Sequence, residues 1–272
     1  MAESQQYSLA RGYRAASRLN LQHYLWKQSA GYLIHPNIPL VDGQHVRITD
    51  IGTGTGIWLL DLGESLPRSS RLDGYDIDVR QCPPTQWLPE NVTMRTLDVY
   101  DPIPEDLIGQ YDIIHIRYFI CVVRDSNPAA LPQTFLKMLK PNGWLQWSEI
   151  DLKTIEICAA SPQTVVGHTE ALMDFVISPN PDWKVESQHW VATLRQSFEK
   201  AGFEEVQEDR RKRLPWTLPS LHDTRILLAE EFGAELHGNS AARQDMIQSA
   251  AREFENQERG VGMHSEIGNS RD

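Results

Sequence analysis

The sequence predicts an α/β fold with a doubly wound, mostly parallel sheet, and three observations support this prediction. Short apolar segments alternate with helical segments between residues 46 and 150. A glycine-rich turn, GTGTG, follows the first of these strands and opens a helix. An apolar run, YDIIHI, is typical of a parallel strand that is buried on both faces. This alternation is the pattern of a Rossmann-like sheet.

Five strands and three helices make up the first half of the chain. The strands are predicted at residues 46–51, 71–77, 92–97, 111–116 and 144–150, with helices at 57–66 and 128–139. A further helix is predicted over residues 11–33, where Leu21, Tyr24 and Leu25 follow helical spacing. The second half is predicted to contain helices at 161–177, 190–201 and 239–259 and a very polar strand at 204–214.

The composition favours a cytoplasmic protein without membrane or nucleic-acid partners. No segment reaches the roughly 18 consecutive apolar residues that a membrane helix needs, and the polar N-terminus does not resemble a secretory signal. The formal net charge of -11 is the wrong sign for a phosphate-tracking surface. The three cysteines, Cys82, Cys121 and Cys158, lie far apart, so we expect neither a disulfide nor a metal site.

The glycine-rich turn is the sharpest candidate for a ligand site. Its sequence DIGTGTG places Asp50 before glycines at every second position, Gly52, Gly54 and Gly56. Glycine lets a ligand approach the backbone closely, and the helix that follows presents free N–H groups. The spacing is GxGxG, whereas a dinucleotide loop needs its third glycine one residue later. An ordinary tight turn is the alternative for this motif alone.

Two more acids end the next two strands of the predicted sheet. Asp76 ends the second strand, where an acid can accept hydrogen bonds from both ribose hydroxyls. Asp98 ends the third strand, within reach of the exocyclic amine of an adenine. Carboxyl ends of parallel strands form the ligand side of such folds. Each aspartate alone could be a cap or a turn residue, but their joint placement favours a nucleoside site.

Four motifs, DIGTGTGIW, LDGYDID, YDIIHIRY and LKPNGWLQWSEID, resemble class I methyltransferases that use S-adenosyl-L-methionine (SAM). Together with the N-terminal SRLNLQHYLWKQSAGYLIHP, they resemble more narrowly the small secondary-metabolite methyltransferases of filamentous fungi, the LaeA-like and UMTA-like group. The resemblance extends over residues 7–214 and is weaker beyond them. It implies SAM as cofactor.

The resemblance assigns cofactor residues to the glycine loop and to the ends of strands two to four. They are Asp50, Gly52, Thr53, Gly54, Asp76, Ile77, Asp98, Val99 and His115. It implies that the loop lines the methionine part of SAM. It further implies that Asp76 holds the ribose and Asp98 the adenine amine.

Candidate catalytic residues are fewer, because displacement at a sulfonium methyl depends mostly on orientation. A general base is needed only where the acceptor atom must lose a proton. His115, at the end of strand four, is our first candidate, and His23, on the N-terminal helix, is the second. Glu149 and Asp151, at the end of strand five, are further candidates. Each histidine could instead serve packing or backbone hydrogen bonding.

Aromatic residues are concentrated in the N-terminal helix, where Tyr13, Tyr24 and Trp26 could form a lid over a flat, apolar substrate. The alternative is that they only pack the helix against the core. By the resemblance, His115 and Arg117 at the end of strand four face the methionine side and the substrate, and Tyr118 beside them is a further candidate for substrate binding.

We therefore predict one methyltransferase domain over residues 1–272. It comprises an N-terminal helical lid (1–45), a SAM-binding core (46–150) and a region of substrate-side helices and C-terminal strands (151–272). The expected reaction is methyl transfer to an O or N atom of a small natural-product intermediate. Alternatives are a SAM-assisted pericyclic or dehydration reaction, a non-enzymatic regulator, and an NAD-dependent oxidoreductase, which the loop spacing disfavours. A homodimer is a candidate assembly.

The resemblance also implies a seven-stranded sheet whose last strand is antiparallel. In the C-terminal stretch only Val261, Met263 and Ile267 are strongly apolar. The sequence therefore predicts a short last strand within residues 261–267, followed by a frayed tail.

Overall fold

The computed structural model describes residues 11–40, 45–124, 127–159, 161–177, 190–237, 240–256, 261–264 and 266–271. Contacts divide the chain into two compact units. The sheet unit comprises Ala30–Glu149, Trp190–Arg210 and Gly268–Asp272, and the helical unit comprises Met1–Ser29, Ile150–His189 and Arg211–Ile267. No helix in the described ranges is long and apolar enough to cross a membrane.

A sheet forms the centre of the sheet unit. Its first five strands along the chain are β1 (Arg47–Ile51), β2 (Arg71–Asp76), β3 (Val92–Thr96), β4 (Tyr111–Arg117) and β5 (Leu139–Ile150). They pair in the order β3-β2-β1-β4-β5, and every pair is parallel. The predicted doubly wound parallel sheet is confirmed for these five strands. The order continues with β9 and β7, which are placed below.

The inner strand β1 is buried on both faces, although its sequence RITDI includes charged and polar residues. Ile48 has no exposed surface and packs with the α2 (Ile57–Gly63) residues Trp58 and Leu59. On the other face, Ile51 belongs to a cluster around Trp147 that includes residues of α3 (Ala130–Met138). Helices on both faces leave the carboxyl ends of the strands as the place for a ligand.

The C-terminal strands differ from the prediction. Residues Val261–His264 form β8, which pairs antiparallel with β6 (Glu156–Ala159) in a separate two-stranded sheet. The strand that joins the main sheet is β9 (Glu266–Arg271), between β5 and β7 (Gln207–Lys212). Our placement of the last strand within residues 261–267 and of a frayed tail after it was wrong. Strands pair through backbone groups, so a polar sequence can still extend a sheet.

The helical unit contains α1 (Tyr13–Ala30), α4 (Gly167–Ile177), α6 (Leu218–His237) and α7 (Ala241–Asn256), whereas α5 (Leu194–Ala201) belongs to the sheet unit. Helix α6 was not predicted from the sequence.

Buried charges join these helices. Arg18 of α1 donates to both carboxylate oxygens of Glu231 on α6, at 2.7 and 2.8 Å. Both side chains of this pair are 4% exposed. Glu253 of α7 accepts from the backbone N–H and the hydroxyl of Thr169, in the first turn of α4.

Candidate functional site

The glycine loop between β1 and α2 adopts a conformation that side chains rarely reach. Gly52, Gly54 and Gly56 have φ angles of 73°, 58° and 77°. The N–H groups of Gly52 and Thr53 both donate to the carbonyl oxygen of Tyr75 on β2, at 2.8 and 2.9 Å. A Cβ atom at Gly52 would lie 2.6 Å from Cε2 of Phe119. The three glycines are therefore required by the backbone.

Asp76, at the end of β2, joins this loop directly. One carboxylate oxygen accepts from the N–H of Gly54 at 2.9 Å, and the other accepts from the N–H of Asp78 at 3.2 Å. These bonds orient the carboxylate beside the loop, and each oxygen keeps further lone-pair capacity. Below the loop, the Cys82 thiol donates to the carbonyl oxygen of Gly54 at 3.2 Å. Burial and the nearby acids raise the pKa of Cys82 to about 12, so this thiol stays protonated.

Asp98 follows β3 and has an unexpected partner. Its carboxylate accepts from the backbone N–H of Tyr100 at 2.9 Å and from the Arg124 guanidinium at 3.0 Å. The same guanidinium lies 4.0 Å from the centre of the Tyr100 ring, and the Arg124 backbone N–H donates to the Tyr100 hydroxyl. A group that uses Asp98 as an acceptor must therefore share it with Arg124.

Asp50 and His115 are direct neighbours across the β1–β4 pair. His115 Nδ1 lies 2.7 Å from the Asp50 carboxylate, which can only accept, so Nδ1 carries the proton. The imidazole stacks on Trp58 with ring centres 3.7 Å apart, and only 1% of His115 is exposed. Burial lowers the pKa of His115, and Arg117 adds to this effect against the opposing Asp50. This environment favours an orienting role toward Asp50, and the role of general base stays a prediction.

The turn after β4 contains a strained residue. Tyr118 has φ 56° and ψ 40°, a left-handed conformation that costs a residue other than glycine about 1–3 kcal/mol. Its own N–H donates to the carbonyl oxygen of Ser148 at 3.1 Å. The next N–H, of Phe119, donates to Glu149 Oε1 at 2.5 Å. The Arg117 guanidinium lies 5.8 Å from the centre of the Tyr118 ring.

The remaining predicted cofactor residues also lie at the carboxyl edge of the sheet. Thr53 and Val99 are buried, whereas Ile77 is 48% exposed directly after Asp76. The structure thus brings the loop, Asp76, Asp98 and the end of β4 together on one side of the sheet unit.

The other predicted site residues lie in the helical unit, on α1. His23 has no exposed surface, and its ring stands edge-on to Tyr24. Tyr13 and Tyr24 are 78% and 49% exposed. Trp26 is buried, with the Arg213 guanidinium 5.2 Å from the centre of its ring. Their roles in catalysis and substrate binding stay predictions.

Several residues of this site were not predicted from the sequence. Trp58 is the second residue after Gly56, and its position on the buried face of α2 could have revealed it. Arg124 and Phe119 gave no pattern, because their contacts with Asp98 and with the loop arise only from the turn after β4.

A doubly wound sheet with this loop and these two acids is the cofactor site of class I SAM-dependent methyltransferases. The loop glycines carry no side chain that would keep a ligand from the loop backbone, and the carboxylates of Asp76 and Asp98 are hydrogen-bond acceptors at the same edge of the sheet. The residues therefore fit SAM.

Comparison with known proteins supports the assignment to methyltransferases. The model of the family "Methyltransferase domain" matches residues 14–208. The chain belongs to this family.

Individual relatives are fungal proteins. The chain is similar to the N-methyltransferase tcpN of Claviceps purpurea, with 31% identity over 140 residues, 51% of this chain and 50% of that protein. It is 30% identical over 193 residues to the N-methyltransferase gliN of Aspergillus fumigatus, 70% of this chain and 65% of that protein. It is also 30% identical over 115 residues to the secondary metabolism regulator LAE1 of Hypocrea atroviridis, 42% of this chain and 32% of that protein. The chain thus matches half to about two thirds of the two methyltransferases' length.

Proposed function

We propose that this protein transfers the methyl group of SAM to an O or N atom of a small-molecule natural-product intermediate. The observation that supports this most is the joint geometry of the loop and the acids: the Gly54 N–H donates to Asp76, and Asp98 follows the next strand. The family assignment and the relatives named as N-methyltransferases favour the same chemistry.

SAM supplies a methyl group on a sulfonium, which is already activated toward displacement. The glycine loop and Asp50 would hold the methionine part, Asp76 the ribose and Asp98 the adenine amine. The chain's own task is then to orient the acceptor and to exclude water, which accounts for most of the acceleration in such a displacement. A buried His115 bound to Asp50 suits orientation of this end of the cofactor.

On the substrate side the proposal rests on the sequence. We assign Arg117 and Tyr118, together with Tyr13, Tyr24 and Trp26 of α1, to substrate binding, and α1 to a lid. We further propose that the protein is cytoplasmic, has no nucleic-acid partner and forms a homodimer. We also propose that β9 is antiparallel and that both units act as one domain.

Incubation with SAM and intermediates of a natural-product pathway, followed by mass spectrometry, tests the reaction. Methyl transfer predicts a product heavier by one CH₂ and an equal amount of S-adenosylhomocysteine (SAH). A product of unchanged or dehydrated mass without SAH would favour the pericyclic or dehydration alternative. SAM binding without any product from a broad substrate panel would favour the regulator that the LAE1 similarity suggests. An Asp76→Ala protein is the matched negative control.

The lid is tested by removing residues 1–33. We expect the shortened protein to lose turnover and to keep SAH binding, because the cofactor residues lie in the sheet unit, whereas the loss of Arg18 should destabilise the helical unit by leaving Glu231 without its cation. Turnover at the full-length rate would show that Tyr13, His23 and Tyr24 have no part in the reaction.

A further inference from the structure

A glutamate side chain accepts a hydrogen bond from a backbone N–H in the turn after β4. The N–H of Phe119 is not part of the β4–β5 ladder, and a buried N–H needs a hydrogen-bond acceptor elsewhere. Glu149 provides it from the end of β5, with 1% of its surface exposed. The same oxygen, Oε1, accepts from the indole N–H of Trp147 at 3.1 Å. One oxygen of Glu149 thus accepts hydrogen bonds from two N–H groups, one in the turn after β4 and one on β5.

These hydrogen bonds have consequences on both sides of Tyr118. Fixing the Phe119 amide fixes the peptide plane that follows Tyr118, and with it the left-handed conformation of the tyrosine. It also holds the Phe119 ring edge-on to Trp147, with ring centres 5.8 Å apart. A Cβ atom at Gly52 would collide with the Phe119 ring, so this ring packs directly against the glycine loop.

We propose that Glu149 is a positioning residue for the transfer reaction. Its carboxylate holds the turn after β4, so that Phe119 supports the glycine loop and Tyr118 points its phenol in one direction at the carboxyl end of the sheet. The part concerning Tyr118 rests on the proposed function, because it takes that phenol as a substrate contact. The part concerning Phe119 needs only cofactor binding.

The burial of Glu149 separates this role from that of a general base. A base must reach the acceptor atom of the substrate, whereas Glu149 is enclosed and accepts two N–H groups of the protein. Glutamine keeps the accepting oxygen but cannot take up a proton at neutral pH. The Glu149→Gln variant therefore distinguishes positioning from proton transfer.

The test measures SAH binding by calorimetry and hydrogen exchange of residues 117–123 by mass spectrometry, on the full chain. We expect Glu149→Ala to bind SAH at least about tenfold more weakly, the usual effect of losing a hydrogen bond to a charged group, and to exchange faster in this segment. Glu149→Gln should stay within about twofold of the wild type in both measurements, as should Glu90→Ala, an exposed control in the same unit. Wild-type SAH affinity and exchange in Glu149→Ala would overturn the proposal, as would a Glu149→Gln protein as impaired as Glu149→Ala.

A second variant removes the strain itself. Glycine adopts the left-handed conformation freely, so in a Tyr118→Gly background the Glu149→Ala change should weaken SAH binding less than in the wild type. Should Glu149→Ala alone fail to fold, the double variant is expected to fold and to bind SAH. An undiminished loss in the double variant, or its failure to fold, would show that Glu149 does not act through this turn. Because SAH binding needs no methyl acceptor, this result is independent of whether methyl transfer is the reaction.

Discussion

Replacing Gly52 with alanine should destabilise the fold in two ways, by backbone strain and by a steric collision. The same replacement at Gly109 separates these two effects. Gly52 and Gly109 have similar positive φ angles, 73° and 65°. A Cβ at Gly109 meets nothing within 4 Å, whereas a Cβ at Gly52 lies 2.6 Å from the Phe119 ring. Gly109→Ala is therefore a matched control that carries the conformational strain without the collision.

The expected losses follow from this geometry. A left-handed alanine costs about 1–2 kcal/mol, which both variants should lose in free energy of unfolding. Forcing an atom against a packed ring adds about 1–3 kcal/mol for Gly52→Ala alone. Phe119 cannot move freely, because it is 4% exposed and packs against Trp147. Gly52→Ala should therefore lose roughly 2–5 kcal/mol in all.

Urea unfolding of both variants measures these losses, and calorimetry with SAH measures the effect on the cofactor site. We expect Gly109→Ala to bind SAH like the wild type, since Gly109 precedes β4 at the opposite end of the strand. Gly52→Ala should bind SAH at least about tenfold more weakly, because the loop or the Phe119 ring must move until the new Cβ and the ring reach van der Waals separation. Equal stability losses in the two variants, or undiminished SAH binding by Gly52→Ala, would refute the reasoning.

Three further predictions concern single groups. Asp76→Ala should weaken SAH binding by about 1.5–3 kcal/mol in calorimetry, with no NAD binding in either protein, and an unchanged SAH affinity would exclude the ribose assignment. Burial lowers the pKa of His222 from 6.5 to about 4, so the unfolded chain takes up its proton first as the pH falls. The contribution of His222 is therefore complete above pH 6.5, and about 3 kcal/mol of it should be lost by pH 4, a loss that His222→Asn should lack in urea unfolding at several pH values. Arg18→Met should cost about 3–5 kcal/mol by leaving Glu231 buried without its cation, and less in the Arg18→Met/Glu231→Leu double variant; an equal loss in the two would show that the charge on Glu231 is compensated elsewhere.

The parallel core was predictable because short strands alternate with helical segments and because β4 has the apolar run of a strand that is buried on both faces. The predicted ends of β1 to β4 agree with the structure to within one residue. The start of β5 does not, because residues 139–143 were interpreted as the end of a helix and a turn. Pairing of β5 with β4 instead begins at Leu139 and shifts register before Trp144. An irregularity of this kind depends on the neighbouring strand and leaves no periodic signal.

Helix α6 was missed for the opposite reason. Its buried side chains include His222, Thr224, Arg225 and Glu231, so its polar residues do not mark a solvent-facing side. Hydrophobic periodicity therefore fails where a helix buries charges against partners from distant segments. The ion pair of Glu231 joins it to Arg18, 213 residues earlier in the chain.

The candidate site shows the same division. The loop glycines and the acids at strand ends were predictable, because their roles follow from strand–turn–helix geometry. The pairing of Asp98 with Arg124 and the hydrogen bonds at Glu149 were not, because they depend on the path of the chain after β4.

The strand order also determines when the sheet can form during synthesis. β1 lies between β2 and β4, and Ile48 pairs on one side with Leu72 and on the other with Ile113, 65 residues later. Until β4 has left the ribosome, one edge of β1 and the apolar side chains beside it have no partner. Parallel pairing of this range is slow to form and exposes sticky intermediates. The nascent chain should therefore depend on chaperones most strongly while the segment from β2 to β4 is being made.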